Sequence, residues 1–432
     1  MENVFKNKNF ILIFLGALVS NIGNLFYSFA VSYWILDITG NDAIIQGAYL
    51  GVCGITFLEF SLIGGVLSDR FNKAKIIYMC DYIKAIVIAV SAIVILFNSS
   101  NITLNIVILF LTGIISNVIA AIFSPASTAI LPLILEKEQL QQANSYISVL
   151  SSLQSIIGIC LAAILYSLFS ITTLFFVVAF CYLCSAISEM FIKYDYVPSE
   201  NKLSLKSTFI DMKEGFKYIN TKKALASFLP IIILINFFFA PISQNFLSYF
   251  IKTDIASNSD YLLHEYINPE MWSAFFSVAV SISSIIFGIV LSTKTIDNNS
   301  GKRVKKWLFA VGVLALSMTV SYFIFVEINN LLNVFLIILM IVGFLLGMML
   351  SYVNIPISTI IQTITDKDKL GKVSSITNMV SQGLIPVATF VAGFVIAYLG
   401  CSSLLLVCSI GFIVVATIAL FSKSIDNIVC EN

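Results

Sequence analysis

The sequence predicts an all-α integral membrane protein with twelve transmembrane helices, in two six-helix bundles related by a pseudo-twofold axis along the membrane normal. Of its 432 residues, 59% are hydrophobic and 11% are charged, and the mean hydropathy is +0.99. This composition lies outside the range of soluble domains. The apolar segments are long enough to cross a hydrocarbon core of roughly 30 Å. Motifs of the first half recur in the second, which predicts two equivalent bundles.

The predicted spans are apolar segments separated by short polar stretches. They lie near residues 10–36, 43–67, 76–97, 102–130, 145–170, 172–192, 225–251, 271–292, 307–326, 331–362, 373–400 and 402–422. The first is too long for a signal peptide and has no Ala-x-Ala cleavage site. An even number of spans places both termini on the same side of the membrane.

The basic residues predict the orientation of the chain. All but two of the 24 Lys and Arg residues fall on the side of the termini; Lys84 lies within a span and Lys252 lies on the opposite side. By the positive-inside rule, we expect both termini in the cytoplasm. The protein is therefore expected in the cytoplasmic (inner) membrane of a bacterium, with the bilayer as its surroundings and no nucleic acid as a partner.

The longest polar segment divides the chain after the sixth span. We expect an N-terminal bundle over 1–193, a cytoplasmic linker over 194–224 and a C-terminal bundle over 225–432. Within the linker, Thr208–Asn220 has apolar residues at helical spacing with charges between them, which predicts an amphipathic helix on the membrane surface.

Short motifs repeat between the two halves. Pro125–Ile130 (PASTAI) recurs as Pro356–Ile361 (PISTII), and the charged segment Glu136–Leu140 recurs as Asp366–Leu370. An offset of about 230 residues is typical of transporters in which two bundles rock around a site at the membrane midplane.

A charged hairpin, 64–75, joins the second and third spans. Asp69 is expected at the carboxyl end of its helix, where the helix dipole disfavours a negative charge, so it needs a partner from outside its own helix. Gly64 and Gly65 would let a neighbouring helix approach closely. Asn72 is expected in a left-handed turn conformation, which Asn tolerates better than most residues.

This hairpin resembles the loop signature of the major facilitator superfamily, Gly-x-Leu-Ala-Asp-Arg-x-Gly-Arg-Lys. The matching positions are Gly65, Leu67, Asp69, Arg70 and Lys73. Ser68 replaces the Ala and Asn72 replaces the second Gly. The resemblance implies a conformational latch formed by Gly65, Asp69, Arg70 and Lys73, in which the Asp holds the start of the eleventh helix in one of two alternating states.

Other segments resemble the macrolide-efflux branch of this superfamily. They are Phe123–Ala126, Glu136–Leu140, Asp211–Gly215 and Leu370–Val373. This resemblance implies export of a small molecule in exchange for protons. Two departures weaken the implied proton exchange: span 102–130 contains no Arg, and the fifth span has no Gly-Pro pair.

The resemblance also implies that spans one, four, seven and ten line the transport cavity. These spans carry no charged residue, and their polar groups are amides and hydroxyls. The candidate cavity residues are Asn21, Asn24, Tyr27, Ser28, Asn117, Asn236, Gln244, Tyr352 and Asn354. Such a lining suits a bulky amphiphilic cargo, although the same groups could simply join helices by hydrogen bonds.

Ionisable residues within the spans are the candidates for proton coupling. We expect Glu59, Asp81 and Lys84 to cluster about 14 Å from the inner surface, from a rise of about 1.5 Å per residue, and Glu189 to lie at that surface beside Lys193. Buried intramembrane charges are costly and often functional. The cluster is therefore either a neutral structural triad or the site where Glu59 or Asp81 takes up a proton.

These features favour a monomeric secondary exporter of amphiphilic small molecules such as macrolide-like drugs. Alternatives are export of an endogenous product, such as a siderophore or peptide, and a membrane receptor or structural protein that transports nothing. The spans offer neither a metal-ligand cluster nor a nucleophile with a base, and the chain lacks the phosphate-binding loop of ATPases. We therefore expect no enzymatic activity, no cofactor and no bound metal.

Overall fold

The structure is a computed structural model that describes residues 4–194, 205–258, 260–292, 300–366 and 370–422. Two compact units make up the chain. The first comprises the residues up to Gly40 and Val52–Thr208, and the second comprises Asn41–Gly51 and the residues from Phe209 onward. The domain boundaries expected at residues 193 and 224 stay a prediction.

The first unit is built from six long helices. They are α1 (Lys8–Thr39), α2 (Ala43–Arg70, of which the residues up to Gly51 belong to the second unit), α3 (Lys73–Phe97), α4 (Ile102–Ile134), α5 (Lys137–Leu168) and α6 (Ile171–Glu189). The side chain of Asn7 caps α1 by accepting from the backbone N–H groups of Asn9 and Phe10, and Gly40 ends it in the left-handed conformation. Ser170 caps α6 by accepting from the N–H of Thr173. Capping satisfies helix-end groups that water would otherwise bind.

The second unit contains the remaining helices. They are α7 (Leu205–Thr221, of which the residues up to Thr208 belong to the first unit), α8 (Lys223–Pro241), α9 (Leu247–Phe250), α10 (Met271–Ser292), α11 (Ser300–Tyr322), α12 (Leu332–Ile364), α13 (Leu370–Gln382) and α14 (Ile385–Phe421). The π-helical turn Ile242–Phe246 joins α8 to α9, and the π-helical turn Ile251–Ile255 extends α9, so that they form one continuous apolar segment. A third π-helical turn, Phe323–Ile328, extends α11.

The predicted twelve-span, all-α membrane fold is confirmed. Ten helical stretches of the described residues are long and apolar enough to cross a membrane, and α5 adds a shorter apolar stretch, Ile156–Leu168. The stretch Met379–Phe421 has 43 residues, about twice what one crossing needs. Gly400 breaks it with a φ of 82°, which an L-residue with a side chain rarely adopts. Its two arms are therefore the eleventh and twelfth spans.

Glycines allow helix backbones to touch within each unit. A Cβ atom at Gly64 of α2 would collide with the carbonyl oxygen of Ala121 in α4, and one at Gly347 of α12 would collide with that of Val280 in α10. Close backbone approach of this kind stabilises membrane helix pairs by van der Waals packing. The neighbouring Gly65, by contrast, has no atom within 4 Å of its would-be Cβ position.

The hairpin between α2 and α3 differs from the expectation at Asn72. Its φ of −59° and ψ of 114° are not left-handed, and its side chain accepts from the N–H of Lys75 as the cap of α3. The prediction of a left-handed turn is wrong because the start of α3 needs an acceptor for its free N–H groups. The backbone N–H of Lys73 in turn donates to the hydroxyl of Tyr194 at 2.8 Å, which places the end of α6 beside the start of α3.

The amphipathic helix of the linker is present as α7 and packs within the second unit. Ile219 is buried with Leu225, Val373 and Ile376. The hydroxyl of Tyr218 accepts from the N–H of Asp366 at 3.0 Å. Lys222 forms an ion pair of 3.5 Å with the same aspartate. Tyr218 and Asp366 raise the pKa of Lys222 above its ordinary value. The apolar face of α7 thus contacts protein, where the sequence predicted a membrane surface.

The two adjacent glycines of α2 give a matched test of backbone packing. Gly64→Ala should lower the melting temperature of the detergent-purified protein, since overpacking costs about 1–3 kcal/mol. Gly65→Ala is the control, and its melting temperature should match that of the natural protein. Equal stability of the two variants would show that α2 and α4 do not approach as closely as described.

Candidate functional site

A polar cavity of about 540 Å³ lies within the first unit. A volume of this size falls in the range of small-molecule sites. All six helices contribute to its wall, which mixes hydroxyls, amides, aromatic rings and one acid–base pair of residues. The lining residues are Ser20, Asn21, Asn24, Phe57, Asp81, Lys84, Ile119, Ala120, Phe123, Ser124, Ser127, Thr128, Ser151 and Tyr182.

A chain of hydrogen bonds crosses the cavity wall from α3 to α1. The Lys84 ammonium, which is 8% exposed, donates to the Tyr182 hydroxyl at 3.4 Å and lies 4.9 Å from the centroid of that ring. Tyr182 donates onward to Oδ1 of Asn24 at 3.3 Å. The cation therefore faces an aromatic ring and a hydroxyl, which stabilise its charge in part, while donors remain for a bound molecule.

A second polar link joins α5 to α1. Oε1 of Gln154 accepts from Nδ2 of Asn21 at 3.5 Å, and Nε2 of Gln154 donates to the carbonyls of Ala17 and Leu18 at 3.2 and 2.9 Å. Gln154 is buried, so these bonds orient Asn21 at the edge of the cavity.

Two buried carboxyl groups lie near each other, and one of them, that of Asp81, is on the cavity wall. Asp81 of α3 and Glu189 of α6 are each 2% exposed, and they interact electrostatically with each other and with the Ser185 hydroxyl. Oδ2 of Asp81 and Oε2 of Glu189 have no hydrogen-bond partner among the described residues. Gly16 of α1 leaves room for Glu189, since a Cβ there would lie 2.7 Å from Oε1.

The predicted proton-coupling residues are only partly brought together. Asp81 and Lys84 line one cavity, but Glu59 is exposed on α2. The expectation that Glu59 is buried with them is wrong, because its side chain is exposed whereas those of Asp81 and Lys84 are buried. Glu189 takes the third place, although the sequence reading had put it at the inner surface.

The cavity residues predicted in the first unit have different surroundings. Asn21 and Asn24 line the cavity, and Ser28 is exposed on the same helix. Tyr27 is buried against Phe175, with ring centroids 5.4 Å apart. Asn117 donates to the carbonyl of Gly113, one turn earlier in its own helix, at 2.9 Å. Spans one and four contribute only uncharged residues to the wall, and α3, which was not expected to line it, adds an acid and a base.

The second unit holds its predicted residues apart. Asn236 donates to the carbonyl of Ser381 at 3.0 Å and so joins α8 to α13. The Tyr352 ring is stacked on Trp307 with centroids 4.5 Å apart. Gln244 and Asn354 are exposed. A small cavity of about 40 Å³ in this unit has mainly apolar walls with the hydroxyl of Ser243 among them.

Two charged side chains of the second unit lie at the junctions of the seventh and eighth spans with the loop between them. Nζ of Lys252 and Oε1 of Glu270 form an ion pair of 2.6 Å whose side chains are 10% and 11% exposed. This pair ties the end of the seventh span to the start of the eighth. The opposite charges neutralise one another at that position.

The structure places the predicted latch residues at the end of α2 and the start of α3. Gly65 and Asp69 lie in the last turns of α2, Arg70 is its exposed final residue, and Lys73 is the first residue of α3. The side chain of Asp69 is outside the described part of the chain, so the latch stays a prediction.

Within the described residues, no group of three or more His, Cys, Asp or Glu side chains could hold a metal ion. The buried cluster has two acids and one base, a set suited to holding protons. Its members that sequence reasoning missed are Glu189 and Tyr182. Glu189 could have been recognised as a charge inside an apolar span, but Lys193 nearby in the sequence suggested a surface position instead. Nothing in the sequence distinguishes Tyr182 from the other aromatic residues of the spans.

Comparison with known proteins gives the family. The model of the Major Facilitator Superfamily matches residues 10–389, and the chain belongs to this superfamily of membrane transporters. It is 29% identical over 238 residues to the uncharacterized MFS-type transporter YkuC of Bacillus subtilis, covering 52% of this chain and about half (53%) of that relative. It is also 25% identical over 330 residues to macrolide efflux protein A of Streptococcus pyogenes, covering 73% of this chain and 75% of that protein.

A solved structure supports the fold. A POT family transporter in complex with 5-aminolevulinic acid has a TM-score of 0.73 at 10% identity, covering 96% of both chains. This likeness supports the fold that the sequence predicted, and the family match shows that the protein is a multi-pass membrane transporter.

Replacing Lys84 by a neutral residue tests whether the charges of the buried cluster are energetically coupled. Lys84→Met should lower the melting temperature of the purified protein, because it leaves buried carboxyl groups without a neighbouring cation. The double variant Lys84→Met/Asp81→Asn should recover much of that loss. Melting temperatures of the two single variants and the double variant make the measurement. Additive losses in the double variant would contradict a coupled cluster.

Proposed function

We propose that this transporter is a secondary active exporter of amphiphilic small molecules, driven by proton exchange and working by alternating access. The observation that carries the proposal is the cavity of about 540 Å³ in the first unit, whose wall combines Asn21, Asn24 and aromatic rings with the buried Asp81 and Lys84. Rings and aliphatic groups suit the apolar body of a cargo, and amides and hydroxyls orient it.

The similarity to a macrolide efflux protein supports the direction and the cargo class. Macrolide-like compounds are large and amphiphilic, which fits a wall with more neutral hydrogen-bonding groups than charges. The Lys and Arg distribution supports cytoplasmic termini in a bacterial inner membrane, and we propose that the protein works as a monomer.

Asp81 is the best-placed proton carrier among the residues predicted from sequence. Its side chain is almost fully buried and lines the cavity, so cargo binding there would change the free energy of its charged form. Glu59 is exposed and lacks that link to the cavity. Proton binding and cargo binding would then compete at Asp81.

Expression in a pump-deficient bacterium tests the whole proposal. Cells with the natural protein should tolerate more macrolide than cells with the empty vector, and collapsing the proton gradient should remove the difference. Asp81→Asn should abolish proton-driven efflux, whereas Glu59→Gln should retain it. Tolerance that persists without a proton gradient would overturn proton exchange, and tolerance equal to the empty vector for every amphiphile screened would overturn drug export. A third outcome, loss of efflux in Glu59→Gln with Asp81→Asn active, would move the proton site to α2.

The hairpin supports a further part of this mechanism, a latch at Asp69. A carboxylate at a helix carboxyl end is unfavourable without an outside partner, and alternating release of that partner would switch the state. Asp69→Asn should reduce the rate of efflux while leaving the melting temperature close to that of the natural protein. Asp69→Glu is the control and should keep most of the rate; unchanged efflux in Asp69→Asn would remove the latch from the mechanism.

A further inference from the structure

The buried cluster of the first unit has one more carboxyl group than its cation can neutralise. Asp81, Glu189 and Lys84 are all less than a tenth exposed, at 2%, 2% and 8%. With all three ionised, the cluster would carry a net negative charge away from water, which is costly. One proton held between the two carboxyl groups makes the cluster neutral.

Burial and the neighbouring carboxyl group of Asp81 disfavour two negative charges in the cluster at once. Ser185 donates its hydroxyl proton to the carbonyl of Gly16 at 3.0 Å, and a serine has one donor only. The same hydroxyl lies within hydrogen-bonding reach of the carboxyl groups of Asp81 and Glu189, so it can stabilise one carboxylate when it turns towards them. The groups that face Glu189 are Cys80, Asp81 and Ser185 from α3 and α6 and Gly16 from α1.

Glu189 also lies between the cavity and one end of the bundle. It is the last residue of α6, and Tyr194, five positions later, accepts from the first N–H of α3. Asp81 lies about two turns further along α3 from that end, at the cavity wall. Asp81 at the cavity and Glu189 at the helix end thus lie one after the other on the way to the side of the membrane rich in basic residues.

We propose that Glu189 is a proton relay that shares one proton with Asp81 and passes it between the cavity and that side of the membrane. Cargo that binds at Asp81 would displace the proton: the O–H bond at Asp81 breaks, a new O–H bond forms on Glu189, and Lys84 stabilises the carboxylate left behind. Glu189 then releases the proton to water at the end of α6. This inference rests on the proposed proton-driven export.

Proteoliposomes loaded with a pH-sensitive dye, with radiolabelled erythromycin as the probe, separate a relay from a structural role. The natural protein should accumulate erythromycin when a proton gradient is imposed, and should exchange labelled for unlabelled erythromycin without one. Glu189→Gln should keep the exchange, because exchange moves no net proton, and should lose both accumulation and the associated dye signal. Glu189→Asp should restore part of the accumulation with a changed pH profile.

Each other outcome is decisive. Accumulation and a pH profile in Glu189→Gln equal to those of the natural protein would overturn the relay and leave the proposed function intact. Loss of exchange together with accumulation, at a lowered melting temperature, would assign Glu189 a structural role and also overturn the relay. If the natural protein shows no proton-driven accumulation, the proposed function itself fails.

Two further variants test the relay even if Glu189→Gln does not fold. Gly16→Ala would press a methyl group against Oε1 of Glu189 and should shift the pH profile of accumulation without removing a carboxyl group; an unshifted profile counts against the relay even if Glu189→Gln does not fold. Glu265→Gln removes an exposed carboxyl group of the described loop, and its accumulation should match that of the natural protein.

Discussion

The cost of burying charge in a bilayer is the constraint on which the first unit depends. The hydrocarbon core offers no water to stabilise an ion, so charges there must neutralise each other or hold a proton. Lys84 meets this demand through the Tyr182 ring and hydroxyl and through the neighbouring Asp81. In the proposed mechanism, cargo that changes the environment of one member of this cluster changes the proton affinity of the others.

The two units satisfy the same constraint in different ways. The first places its acids and base deep among α1, α3 and α6, beside a polar cavity. In the second, the tight Lys252–Glu270 ion pair lies at the end of a span, and a small cavity has mainly apolar walls. Sequence motifs repeat between the halves, but the buried charges have different partners: in the second unit the buried Lys305 donates to the backbone carbonyls of Leu420 and Ser422.

Glycines determine how closely neighbouring helices pack within each unit. Gly64 and Gly347 each allow a backbone carbonyl of a neighbouring helix to approach within the space of a methyl group. Gly16 uses the same absence of a side chain for another purpose, since it makes room for the Glu189 carboxyl. The same residue type thus supports helix contact at one position and a polar site at another.

Much of the architecture could be predicted from the sequence because the bilayer imposes simple requirements on length and polarity. Apolar runs of sufficient length predicted twelve spans, and the charged hairpin, the amphipathic linker helix and the superfamily followed from local patterns. Asn21, Asn24, Asp81 and Lys84 were also recognised as cavity or cluster candidates, since polar and charged residues stand out against an apolar background.

The composition of the site was decided only by the tertiary structure. Distance along a helix places a residue at a depth in the membrane, but which way its side chain points depends on how helices rotate and pack. Glu59 and Asp81 were expected at matching depths, yet one is exposed and the other buried. Glu189 joined the cluster because Gly16 of a different helix leaves space for it, a contact between residues far apart in sequence that no local pattern encodes.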